Sequence, residues 1–315
     1  MKYINKNLKI TRKVKKKKKK HTQNHKKTHK FKNLKCAPNK IDNIDNNLKG
    51  FSCYSSNDLK LMKKLWNLNN SKKIKTVNNK EIWKFFKNNL NDKCYNELCW
   101  LNENTFNKLN KEFIIKNTFK PFSPKSWKNK PYQWLSSVDI LKVIKQYETN
   151  YKDFKFIGPS PIDFDTIKIF GKCVFEELCK FDLNNYIKHK YTKIGIIFNL
   201  DPHYKDGSHW VALFIDIEKA NIFYFDSNGD KIPKLIKIFV DKVIKQGHEQ
   251  NINFDFSSNE NIEHQKKDGQ CGMYTLYFLI EILKKNKTIN DFNNKNKLIT
   301  DETMRDFRNK YYNSY

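Results

Sequence analysis

Nowhere in its 315 residues does the chain hold an apolar run long enough to span a bilayer; the longest, over 274–283, is about half of what a membrane helix requires. No apolar segment follows the basic N-terminus, so no secretory signal is expected. Acidic residues are missing before Asp42, while Lys and Arg crowd residues 1–41 and reach a run at Lys15–Lys20. Like charges repel there and nothing apolar offsets the ordering entropy, so residues 1–50 are expected to be a disordered basic arm. Zinc-type spacing is absent too. Cys94 with Cys99, and Cys173 with Cys179, sit at the wrong separations and are read as buried thiols, with no metal or other cofactor implied. The total of seven cysteines is odd, which with no signal predicts a reducing intracellular compartment. His21, His25 and His29 are read as part of the arm.

What remains is a basic chain, net charge +29, whose 38% hydrophobic and 14% aromatic content is enough for a real core. Helical spacing is expected over 58–68, 81–90 and 105–115, forming a helical region at 51–125. Prolines at 121, 124 and 131 mark a linker, and residues 126–315 read as the main domain. Within it, a helix is expected over 138–147, and Gly158-Pro159-Ser160-Pro161 reads as a break. Strands are expected over 195–200, 209–217, 222–226 and 252–256, and helices over 234–244 and 271–283. Strands and helices without regular alternation predict an α+β fold.

Cys271 follows the turn Asp268-Gly269-Gln270 and opens an apolar helix. A thiol at a helix N-terminus faces free amides and the positive end of the dipole, which favours thiolate. A small apolar cysteine starting a core helix fits that segment equally well. Gly272 would let a substrate backbone approach closely. A hairpin centred between Ile217 and Glu218 would put His209 opposite Asp226, which suits a base and its orienting carboxylate. His203 and His264 compete as bases and Asp216 as a carboxylate; Asp216 would point to the opposite face from His209.

His209-Trp210-Val211-Ala212-Leu213, Tyr224-Phe225-Asp226-Ser227, and Gln265 ahead of Cys271-Gly272 together resemble the signature of the ubiquitin-like-protein-specific (SUMO-protease or adenain-like) cysteine proteases. The resemblance implies a papain-like or adenain-like fold, a central mixed sheet flanked by helices with a helical N-terminal extension. It implies Cys271 as nucleophile, His209 as base, Asp226 as orienter and Gln265 as oxyanion donor. Trp134, in Trp134-Leu135-Ser136-Ser137, is similar to a family tryptophan that roofs the substrate cleft; with Trp210 it would form a narrow aromatic tunnel. Such a tunnel implies cleavage after small residues at Gly-Gly-X-like sites. Gln270 stands where SUMO-specific members carry Asp, and Ser136-Ser137 where they carry Asn-Asp. The stretches 158–164 and 201–203 are similar instead to processing proteases of large DNA viruses.

The expected function is therefore a cysteine endopeptidase that processes viral structural polyproteins, in the virion or host cytoplasm. One alternative is a protease that removes a SUMO-like or ubiquitin-like modifier from its conjugates. Another is a basic virion protein with a silent protease fold. Residues 1–41 would contact DNA or RNA through phosphates or act as a nuclear localisation signal, and no membrane partner is expected.

Overall fold

In the computed structural model, residues 30–38 and 48–314 are described. Five strands form one sheet in chain order: β1 (Phe154–Pro161), β2 (Lys193–Asn199), β3 (Trp210–Asp216), β4 (Asn221–Phe225) and β5 (Asp255–Ser258). The β2–β3–β4 segment is an antiparallel meander, while β1 and β5 run parallel to their neighbours. The sheet is thus mixed, and the fold is α+β, as the sequence predicts.

Both faces are covered, which is why the strands read as nearly continuous apolar runs. Val211, Leu213, Ile222 and Tyr224 pack under α5 (Lys234–His248), through Ile236, Phe239 and Val243. Trp210, Ala212, Phe223 and Phe225 pack against α6 (Cys271–Leu283), α4 (Ser137–Asn150) and α7 (Asp301–Tyr311). Helix α6 is buried on almost every side, and Phe278 stacks on Phe225 with centroids 4.8 Å apart.

The break expected at 158–161 is instead part of β1, an edge strand whose register slips between Ile157 and Ser160. A bulged edge accepts proline because its missing N–H costs no ladder bond. Strand β5 starts at Asp255 rather than 252, because its pairing begins at Asn221. The helix expected over 105–115 is divided: a short 3-10 turn precedes Asn110, whose side chain accepts from Phe113 N at 3.0 Å and starts α3 (Lys111–Thr118).

N-terminal to α4, helices α1 (Ser56–Asn69) and α2 (Asn79–Leu90) share a second core with α3, built on Tyr54, Phe86, Trp100 and Phe106. Glu97 is buried in it, accepting from Cys53 N at 3.1 Å and Trp83 Nε1 at 2.5 Å. Burial pushes its carboxyl up to about 7, against the pull of bonds from Ser52, Cys53 and Trp83.

Two expectations need correction. The sequence predicts a basic arm disordered to residue 50; residues 1–29, with His21, His25 and His29, and residues 39–47 lie outside the described residues. The described remainder is packed: Leu34 and Leu48 enter the second core, Ala37 is buried, and Cys36 forms an isolated β-bridge with Phe119. Apolar anchors between the charges make this segment unlike the lysine run. The cysteines are also not thiols in pairs. Disulfides join Cys36–Cys53, Cys94–Cys99 and Cys173–Cys179, leaving Cys271 free. The odd count is three pairs and one thiol, so it no longer argues for a reducing compartment. Among the described residues no helix is long and apolar enough to cross a membrane.

Phe31–Tyr315 cluster as one unit, tied by polar contacts across the chain. Asn313 Nδ2 donates to the Lys120 and Lys35 carbonyls at 2.9 and 3.2 Å, and its Oδ1 accepts from Lys35 N at 2.7 Å. Gln146 Nε2 of α4 donates to the carbonyls of Lys116 and Phe119, both at 2.8 Å. Replacing buried Asn313 by alanine strands several backbone groups at once. Asn313→Ala should therefore lower stability by about 1–3 kcal/mol in urea unfolding and expose the segment around Lys35 to proteolysis.

Candidate active site

Cys271 is the first residue of α6, and Met273 N and Tyr274 N bond back to the Gln270 carbonyl at 2.8 and 3.0 Å. Its thiol is nearly inaccessible and lies against His209. On its other side the imidazole meets Asp226: His209 Nε2 to Asp226 Oδ1 is 2.6 Å. The β3–β4 register differs from the expected one by two residues, with Ala212 opposite Phe225 as the last pair. Because side chains alternate with period two, a shift of two keeps His209 and Asp226 on one side. They meet just beyond the end of the ladder.

Asp226 is fully buried. Its Oδ1 also accepts from Asn228 N at 2.9 Å. Its backbone is clamped by Asn259, whose Oδ1 accepts from Asp226 N at 2.9 Å and whose Nδ2 donates to Asp226 O at 2.6 Å. Burial opposes a charge on His209, but the bonds and charges of Asp226 and Cys271 outweigh it and raise the imidazole to about 10. At neutral pH the ring is therefore an imidazolium between carboxylate and sulfur.

The next residue, Ser227, sets Gln265. Ser227 Oγ donates to Gln265 Oε1 at 3.0 Å, and Gln265 N donates to Ser227 O at 2.9 Å. With its oxygen engaged, the amide presents Nε2 as the group able to donate to a developing oxyanion.

The competing groups are used elsewhere. His264 is buried, its Nε2 at 3.0 Å from Phe292 O and its Nδ1 accepting from Ile299 N. Burial lowers its pKa. His203 pairs with Asp163 at 2.7 Å, and Asp216 accepts from Lys219 N in the hairpin turn.

Trp134 and Trp210 both line one cleft of about 550 Å³. Trp210 is mostly buried and its indole donates to Leu135 O at 3.0 Å, whereas Trp134 keeps 42% of its surface exposed. Ser136 and Asp139 form a capping box that starts α4 immediately after Trp134-Leu135. Gly272, expected to admit substrate, is needed for packing: a Cβ there would lie 3.1 Å from Leu135 Cβ and 3.2 Å from Trp210 Cδ1.

Sequence patterns do not reveal the brace behind Cys271. Arg308 of α7 is buried and donates to Gly269 O and Gln133 O, each at 2.9 Å, and to Gln270 Oε1 at 3.3 Å. Its guanidinium sits 4.5 Å from the Trp127 ring. Burial lowers its pKa to about 10, so it stays charged at neutral pH. Gln270 also donates to Asp301 O at 3.1 Å. The residue that departs from the SUMO-specific pattern therefore serves α7. No local sequence signal marks Arg308, since its partners are carbonyls far along the chain.

Residues 179–315 match the model described as the Ulp1 protease family, C-terminal catalytic domain. Over those residues the chain is similar to Ulp1-family catalytic domains. Among curated proteins, it is similar to "Putative thiol protease R355" of Acanthamoeba polyphaga mimivirus, 33% identical over 174 residues, 55% of this chain and 54% of that protein. It is also similar to a protein of African swine fever virus named as a cysteine protease, 27% identical over 182 residues, 55% of this chain and 66% of that one. The matched part thus spans about half to two thirds of these relatives' length. The crystal structure of the African swine fever virus protease superposes with a TM-score of 0.64 at 22% identity, covering 89% of this chain and 96% of that one. That likeness shows a shared fold, and at 89% of this chain it reaches beyond residues 179–315 into the N-terminal helices.

Two tests follow from the geometry. Titration of the His209 ring by NMR should inflect near pH 10, and Asp226→Asn should move the inflection down. Because the folded value is raised, the stabilisation it brings is complete below about pH 6.5 and lost as pH rises towards 10. Arg308→Lys keeps a charge but loses the fork, so alkylation of Cys271 should slow on the order of 10- to 100-fold as the loop loses its fixed position.

Proposed function

We propose that the chain is a cysteine endopeptidase that cuts after small residues, at Gly-Gly-X-like sites, and processes viral structural polyproteins during virion maturation. The observation that carries this reading is the one free cysteine, at the start of a buried helix, against an imidazole bonded at 2.6 Å to a fully buried carboxylate. In the proposed cycle His209 already holds the proton, as the imidazolium of an ion pair with Cys271, and the thiolate attacks the scissile carbonyl. The oxyanion is met by Gln265 Nε2 and the Cys271 backbone N–H. His209, held by Asp226, protonates the leaving amine, and water hydrolyses the thioester.

The preference for small residues is drawn from the walls. Trp134 stands against the Gly269 backbone, where a Cβ would lie 3.1 Å from Trp134 Cδ1, and Trp210 is fixed by Leu135. A cleft between such walls suits an extended backbone without side chains. Relatives named as thiol or cysteine proteases occur in two large DNA viruses, in line with a viral substrate.

A second reading, deconjugation of a SUMO-like or ubiquitin-like modifier, is favoured by the name "SUMO-1 cysteine protease" carried by other African swine fever virus relatives. A Gly-Gly-X peptide library separates the two. Wild type should cut it and Cys271→Ala should lose turnover by several orders of magnitude. Failure on peptides with cleavage of folded conjugates would favour deconjugation, and failure on both would leave the silent-fold alternative.

A further inference from the structure

A recess of about 540 Å³ lies outside the site just described, lined in part by residues of α7 beside Arg308. Four lysines from separate parts of the chain meet in it. Lys35 comes from the N-terminal segment, Lys120 follows α3, Lys284 caps the end of α6 and Lys310 lies in the last turn of α7. Asp306 is the one carboxylate in the lining. Glu281 is buried nearby, 3.5 Å from Lys284 Nζ and accepting from Asn286 at 2.9 Å.

The positive ends of Lys284 and Lys310 have an ordinary explanation, because helix C-termini favour cations. Lys35 and Lys120 do not. Each is held by a peptide carbonyl, Lys35 Nζ on Tyr312 O at 2.9 Å and Lys120 Nζ on Lys310 O at 2.6 Å. Carbonyls fix the ammonium groups in place without neutralising them. The cost is visible at Lys120: burial, then the charges of Lys35, Lys284 and Lys310, lower its pKa to about 8. Burial and the Lys32 charge lower Lys35 as well. Lys284 has Glu281 beside it, but Lys35, Lys120 and Lys310 share only Asp306 in the lining, so the recess carries an excess of positive charge.

We propose that this recess binds a compact, multiply charged anion of the phosphate class, which joins Lys35 and Lys120 to Lys284 and Lys310. The site is independent of the protease reading, since none of its residues touches the triad. Anion binding would return the proton to Lys120, so affinity should weaken as pH rises through about 8. The groups facing Lys120 are Lys35, Lys284, Lys310, Asp306 and Tyr147, whose phenol burial keeps protonated.

The test is calorimetric binding of tripolyphosphate to the full chain, with sodium chloride matching ionic strength. Wild type should bind saturably. Lys284→Gln/Lys310→Gln, at two exposed positions, should bind about tenfold or more weakly, whereas Lys284→Arg/Lys310→Arg, which keeps a cation beside buried Glu281, should retain binding. Lys120→Gln should weaken binding too and flatten its dependence on pH near 8. Lys60→Gln/Lys64→Gln, the same charge change on exposed α1 positions, should leave binding intact. No saturable binding to wild type, or equal loss in the α1 variant, would overturn the proposal. Single-stranded DNA that displaces tripolyphosphate would assign the phosphates to nucleic acid; tripolyphosphate held against DNA would assign them to a free anion.

Discussion

A carboxylate without solvent must find its partners inside the protein, and the arrangement around Asp226 can be read as the meeting of that demand. His209 supplies the cation and Asn228 the backbone donor, while Asn259 grips the peptide groups on both sides. The same turn carries Ser227, which orients Gln265. Thus His209 and Gln265 are both placed by one buried charge and its immediate neighbours. Removing one partner from such a cluster leaves the rest desolvated and unpaired, so the cluster behaves as a unit.

Much of this was legible in the sequence, for a physical reason in each case. Strands buried on both faces announce themselves as runs of Ile, Phe and Val, and α6 as an apolar helix whose expected and observed ends coincide at Cys271–Leu283. The motifs single out His209, Asp226, Gln265 and Cys271; His209 lies between Asp226 and Cys271, and Gln265 is bonded to Ser227, although the hairpin register differs by two residues. An error of one would have parted His209 from Asp226. What was missed depends on distant contacts. Strand β1 hides its proline at a bulged edge, the half-cystines pair through tertiary folding, and α7 has few apolar residues because one face of it holds Arg308 against carbonyls.

The N-terminal helices are not a loose appendage to the catalytic fold. They own a separate aromatic core, yet Asn313 and Gln146 bind their backbone to the far end of the chain and to α4. Helix α4 begins directly after Trp134-Leu135, so one element carries the wall of the cleft at its start and the tie to α3 further along.

Arg308 also fixes an order of events. A ribosome adds His209, Asp226 and Cys271 to the chain before it adds Arg308, which braces Gly269 and Gln133. During synthesis the loop before Cys271 therefore lacks its brace until α7 has been made and docked. A nascent chain still attached upstream of Arg308 carries every reacting group but not the frame that aligns them, which separates the birth of the thiol from the onset of its reactivity.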